Sequence, residues 1–195
     1  MPKNIVLIQA HPDPAPERFC RVLAETYTRA AHRSGHDIQV LNLATMSIPL
    51  LRTKSDYESG PAPAAIQSAQ AMISAADHLV IIFPLWLGDM PALLKGFLEQ
   101  LLRPGFAYGG STEKGLPKKL LKGKSARIVI TMGMPAAFYR FFFRAHSLKN
   151  LKRNILAFCG VSPIRDSLIG LVEGKDMRPR QKWLNKMEEF GRCAM

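Results

Sequence analysis

The stretch His78-Leu-Val-Ile-Ile-Phe83-Pro-Leu-Trp-Leu-Gly-Asp-Met-Pro91-Ala-Leu-Leu-Lys-Gly-Phe97-Leu-Glu-Gln-Leu-Leu102 changes its hydrophobic period once, and that change decides the fold. Up to Phe83 the apolar run is unbroken. A strand reads this way when both of its faces are covered. Pro84 ends it. Pro91 then suits the first turn of a helix. Beyond it Leu93, Leu94, Phe97, Leu98, Leu101 and Leu102 fall at three- and four-residue intervals, a helical stripe that faces a core.

The same alternation repeats on either side. Asn4 to Ala10 is a buried strand, His11-Pro-Asp-Pro-Ala-Pro16 a loop, and the pattern turns helical from Glu17, with Phe19, Val22, Leu23 and Thr26/Tyr27 on one face. Gly35 is placed to stop that helix. His36 to Leu43 is the second strand. Thr45 to Pro63 is a long connection and Ala64 to Ala76 a helix. After Pro104-Gly105, residues 106–123 read as a glycine-containing loop. Ala126 to Thr131 is the fourth strand, Ala136 to Phe158 is mostly helical, Ile164 to Val172 is the fifth strand and Asp176 to Gly191 the last helix. Strands alternating with helices of this length imply a parallel sheet wrapped on both faces. The expected fold class is α/β: one domain over residues 1–195, a doubly wound five-stranded sheet of order 2-1-3-4-5 in a three-layer α/β/α sandwich.

The chain has 195 residues, 47% of them hydrophobic and 22% charged, a globular composition. Its three cysteines form no C-x-x-C pair, which argues against a disulfide scaffold or a zinc ribbon. The five histidines are separate, so no metal site is expected. No apolar run reaches the length of a membrane span, and the start lacks a signal-peptide pattern, so a cytoplasmic location is expected. The net charge is +12 and asymmetric. Residues 1–102 carry 8 Lys+Arg against 9 Asp+Glu, and residues 103–195 carry 19 against 6. Such a field attracts anions.

In open α/β sheets ligands bind beyond the carboxyl ends of the strands, where strand order reverses. That selects residues 11–17, 84–90 and 132–137. A helix N-terminus, a tryptophan after the central strand and Gly133 suit a flat, polar-edged ring with a phosphate. No P-loop, G-x-G-x-x-G or G-x-S-x-G motif occurs, which disfavours P-loop NTPase, Rossmann and α/β-hydrolase readings.

Phe83-Pro-Leu-Trp-Leu-Gly-Asp-Met-Pro-Ala-Leu-Leu-Lys-Gly-Phe97 is similar to the flavin-binding segment of the flavodoxin-like NAD(P)H:quinone oxidoreductase family. Phe106-Ala-Tyr108, and His11 followed by Phe19, also match that family, and the resemblance covers nearly the whole chain. It implies an enzyme that passes hydride from NAD(P)H through bound flavin, FAD or FMN, to a quinone or similar acceptor. His11, Arg18, Phe19 and Cys20 would surround the flavin phosphate and ribityl chain. Pro84, Leu85, Trp86 and Leu87 would hold the ring, and Thr131, Met132, Gly133 and Met134 would line its polar edge. Tyr108 would wall the substrate pocket, and Tyr139 with His146 would serve proton movement. The family also implies a homodimer. Arg18 and Cys20 depart from a more usual Ser and Asn, Met134 from a second glycine, and the Tyr139-to-His146 spacing is one residue longer than usual.

Plainer readings stand beside these. His11 could cap its loop, Trp86 could be core, Tyr139 could pack on Phe141 to Phe143, His146 could be a solvated surface residue, and Cys20 a small buried one. Arg140-Phe-Phe-Phe-Arg144 with Lys149, Lys152 and Arg153 fits a helix with Phe inward, a subunit interface, a nucleotide-phosphate site or a peripheral membrane contact. Other functional classes are a nucleotide-sensing regulatory subunit of a membrane transporter and a basic nucleic-acid-binding protein. The second lacks any known nucleic-acid motif, so no nucleic-acid partner is expected.

Overall fold

The computed structural model describes residues 1–111, 115, 117–174 and 177–195. The loop expected from 106 to 123 and the start of the last helix expected at Asp176 therefore fall partly outside the described residues.

Five strands form one parallel sheet: β1 (Asn4–Gln9), β2 (Asp37–Asn42), β3 (His78–Pro84), β6 (Ser125–Thr131) and β7 (Ile164–Ile169). Their order is β2-β1-β3-β6-β7, the doubly wound order expected, once an antiparallel hairpin of β4 (Tyr108–Ser111) and β5 (Pro117–Lys119) is set aside. Alternate residues of one strand feed two cores. Leu79, Ile81 and Phe83 of β3 join one cluster, and Val80 and Ile82 join the other. That is why the run from 79 to 83 shows no polar alternation.

On one face lie α1 (Phe19–Arg33) and α8 (Arg178–Cys193). On the other are α3 (Ala64–Ala75) and α4 (Ala92–Leu101). Helix α1 ends as expected at Gly35, whose φ is +78°. Gly35 N–H donates to His32 O at 3.0 Å and His36 N–H to Ala31 O at 3.1 Å, the two bonds of a Schellman stop. Its buried face is Cys20, Leu23, Ala24, Tyr27, Ala30 and Ala31. Phe19, Val22 and Thr26, expected on that face, are only half-buried, because α8 lies against the Tyr27 side of the helix.

Two expectations need correction and one needs refining. The connection 45–63 contains a short helix, α2 (Lys54–Glu58), held by a reciprocal capping box of Thr53 and Asp56. The loop 106–123 contains the hairpin. The segment 136–158 is mostly helical, as expected, but not continuous: α5 (Ala136–Phe141) stops, Arg144 and Ala145 turn at φ +52° and +48°, and α6 (His146–Lys149) restarts. It continues through a wide π-helical stretch, Asn150–Leu156, into α7 (Ala157–Cys159).

None of the three cysteines is paired. Burial pushes the Cys20 thiol up to about 12 and the Cys159 thiol to about 11, whereas Cys193 is exposed. A thiol reagent at pH 8 is expected to label Cys193 alone in the native protein, and all three in denaturant. Rapid native labelling of Cys20 would show that α1 opens readily.

Candidate active site

Four segments meet at the carboxyl end of the sheet. The first follows β1. Asp13 N–H donates to His11 Nδ1 at 3.1 Å, which makes Nδ1 the acceptor nitrogen of that ring. Burial holds the His11 imidazole below its ordinary pKa, against the nearby Asp13 carboxylate. Asp13 also receives the Ala15 N–H at 2.9 Å and the Arg18 Nε at 2.6 Å. Those bonds, the Ala15 amide first, lower its own pKa. Arg18, expected at a flavin phosphate, is thus engaged with Asp13. No side chain caps the N-terminus of α1.

The second follows β3. Leu85 N–H donates to Thr131 O at 2.8 Å, so the β3·β6 ladder runs one residue past Pro84. Trp86 and Asp89 exchange backbone bonds at 2.9 Å each way. Between them Leu87 (φ +48°) and Gly88 (φ +78°) form a type I′ turn. Glycine adopts that conformation freely and leucine does not. At the tip of that turn Leu87 is fully exposed to solvent, with Trp86 also exposed. The His11 and Trp86 rings meet edge to face at 5.8 Å. Trp86 is therefore a wall of this end of the sheet and not core.

The third follows β6. Cys20 Sγ lies 3.1 Å from Thr131 Oγ1, both buried, joining the start of α1 to β6. Met132 is buried, and Gly133 and Met134 lie beyond it. The fourth, residues 170–174 after β7, was missed in the sequence. Leu171 N–H donates to Met134 O at 3.2 Å and Val172 N–H to Met132 O at 3.3 Å. This brings the Glu173 carboxylate over Gly133, where an added Cβ would lie 3.7 Å away. Only the β7 register could have revealed it. Among the described residues, the N–H groups of Leu87, Gly88, Gly133 and Met134 have no acceptor.

Of the remaining candidates, Tyr139 and His146 border this cluster and Tyr108 lies apart from it. Tyr139 is buried, and its Oη accepts the Leu148 N–H at 3.4 Å. Burial raises its pKa. The reading in which it packs on Phe141 to Phe143 does not hold, because those rings point to solvent. His146 is exposed and shares a cleft of about 430 Å³ with Gly88 and Asp89. Tyr108 faces a separate cavity of about 460 Å³, where its Oη bonds that of Tyr57 at 2.5 Å and its ring meets Phe158 at 5.1 Å. Within one chain, none of residues 84–87 or 131–134 lines that cavity.

Exposed apolar walls, unpartnered amides and an open helix N-terminus at the switch point are features that a flat ligand with a polar edge requires. The chain belongs to the flavodoxin-like fold family, whose model matches residues 3–190. It is 30% identical over 182 residues to an uncharacterized NAD(P)H oxidoreductase of Haemophilus influenzae, spanning 91% of this chain and 89% of that protein. It is 26% identical over 189 residues to the ribosyldihydronicotinamide dehydrogenase (quinone) of Pongo abelii, spanning 81% and 77%. Among solved structures, an NAD(P)H:quinone oxidoreductase from Methanothermobacter marburgensis superposes with a TM-score of 0.83 at 22% identity, over 100% of both chains.

Proposed function

We propose that this protein is a flavin-dependent oxidoreductase that takes hydride from NAD(P)H and reduces a quinone or similar small acceptor. The observation that carries the reading is the set of four unpartnered amides, on Leu87, Gly88, Gly133 and Met134, flanking exposed Trp86. These residues fit a flavin. Amides of two loops suit the polar edge of the ring, and Trp86 and Leu87 suit its apolar faces. When bound, flavin supplies the hydride chemistry. The chain contributes position. His11 and Trp86 wall the ring, Cys20 with Thr131 anchors the start of α1, and the α1 N-terminus receives the phosphate. His146 and Asp89 border the cleft in which donor and acceptor take turns. Tyr139 acts from behind it, with a hydroxyl held on the α6 backbone.

The protein works as a homodimer in this reading. Support comes from Tyr108, whose cavity stands apart from the strand-end loops of its own chain. Unpaired thiols fit a reducing compartment, hence the cytoplasm.

The test is the visible spectrum of the purified protein after addition of FAD or FMN and removal of the excess. A retained yellow chromophore, bleached by NAD(P)H and restored by a quinone, is expected, and the cofactor retained names the flavin. Failure to retain either would sink the reading and leave the nucleotide-sensing subunit in front. Trp86→Ala removes only an exposed wall. It is expected to weaken flavin retention about tenfold without changing the unfolding midpoint. Unchanged retention would remove Trp86 from the site.

A further inference from the structure

The segment from Phe138 to Phe143 places four phenylalanines at the surface. Phe141 is 78% and Phe142 69% exposed, with Phe138 at 47% and Phe143 at 42%. A helix with its phenylalanines turned inward is therefore excluded. The rings form a ridge of their own: Phe138 stacks on Phe142 at 4.7 Å, and Phe143 meets both edge-on. The left-handed pair Arg144 and Ala145 ends α5 behind it.

Cations gather beside the ridge. A groove of about 550 Å³ is lined by Phe141 and by Arg140, Arg144, Lys149, Lys152 and Arg153, with Asp166 as its one carboxylate. Asp166 pairs with Arg140 at 3.1 Å and with Lys152 at 2.8 Å. Arg144, Lys149 and Arg153 have no acidic partner among the described residues. No described helix is long and apolar enough to cross a membrane, so any contact with lipid made through this ridge is peripheral.

We propose that this face docks on an anionic lipid bilayer, with the phenylalanine ridge entering the headgroup region and the groove's cations resting on acidic headgroups. The pattern of exposed aromatics rimmed by unpaired cations is what an interfacial segment needs. Charge argues against the other occupant, a second copy of the chain. A two-fold contact applies the same patch to itself, and here it would set unpaired arginines and lysines against their own counterparts.

The test is co-sedimentation of the full chain with vesicles of phosphatidylcholine alone, or with about one third phosphatidylglycerol. Binding to the anionic vesicles, at least about tenfold tighter than to the neutral ones and weakened by salt, is expected. Arg144→Gln should weaken it about fivefold. The double variant Phe141→Ser/Phe142→Ser leaves the charge unchanged and should weaken it about tenfold or more. Circular dichroism checks that both variants fold. Binding that the serine variant keeps in full would overturn the proposal, since only bulk charge would then act. So would absence of binding. Tighter binding to a DNA duplex than to vesicles would make this a nucleic-acid surface. A serine variant that turns a dimer into a monomer would make it a subunit interface.

Discussion

Gly191→Val is expected to cost about 3 kcal/mol or more of folding stability. Gly191 lies in α8 where that helix crosses α1. A Cβ there would sit 2.4 Å from the Tyr27 carbonyl oxygen, 3.0 Å from the Ala30 Cβ and 3.2 Å from the Ala31 nitrogen. Two of these neighbours are backbone, so no side-chain rotation relieves the clash. The helices would have to separate. The second core cluster, which includes Leu23, Tyr27, Ala31 and Met187, would then lose its cover. Gly35→Ala is the control. It meets nothing within 4 Å, but its φ of +78° disfavours a side chain, and about 1 kcal/mol is expected. Urea unfolding of both variants checks this. Equal midpoints for Gly191→Val and the wild type would mean that the two helices do not pack this closely.

Acidification is the second large effect. His78 opens β3, is 2% exposed, and its Nδ1 meets Ser125 Oγ at 2.8 Å. Burial, aided by the positive charges of Lys3, Arg127 and Arg165, lowers its pKa to about 4 from an ordinary 6.5. Between those values the unfolded chain carries a proton that the folded chain does not. Stability is therefore full above about pH 7 and declines as the pH falls, by about 3 kcal/mol when pH 4 is reached. The depressed His11 pKa acts in the same direction. His78→Gln keeps a polar group beside Ser125 and removes the titration. Its stability should fall less steeply than that of the wild type between pH 7 and 4. Parallel curves would show that His78 is not the group responsible.

Much of this architecture was written in local pattern. The unbroken run 79–83 and the Leu/Phe stripe after Pro91 announced β3 and α4, because burial on both faces removes polar alternation and burial on one face leaves a helical period. Gly35 marked the stop of α1 because few other residues adopt its φ. The strand-end loops at 11–17, 84–90 and 132–137 were legible because the order of elements implies a doubly wound sheet, and such a sheet concentrates ligands at one end. The Thr53/Asp56 capping box was also present in the sequence, though it lies hidden in a proline-rich connection.

Other features have no local signal. Glu173 reaches Gly133 only through the pairing of β6 with β7. Arg18 spends its charge on Asp13, five residues away across a proline loop. Tyr108 turns to Tyr57 because the hairpin folds back beside α2. The phenylalanines of 138–143 look like a core stripe until Arg144 and Ala145 turn left-handed and leave them outside. The sequence by itself determined the five strands of the main sheet and helices α1, α3, α4 and α8, and pointed to the carboxyl end of that sheet for a ligand, since those follow from periods and prolines within about twenty residues. Only the tertiary structure decided which side chains meet there and which surfaces stay bare, because contacts between residues far apart in the chain depend on how whole elements pack.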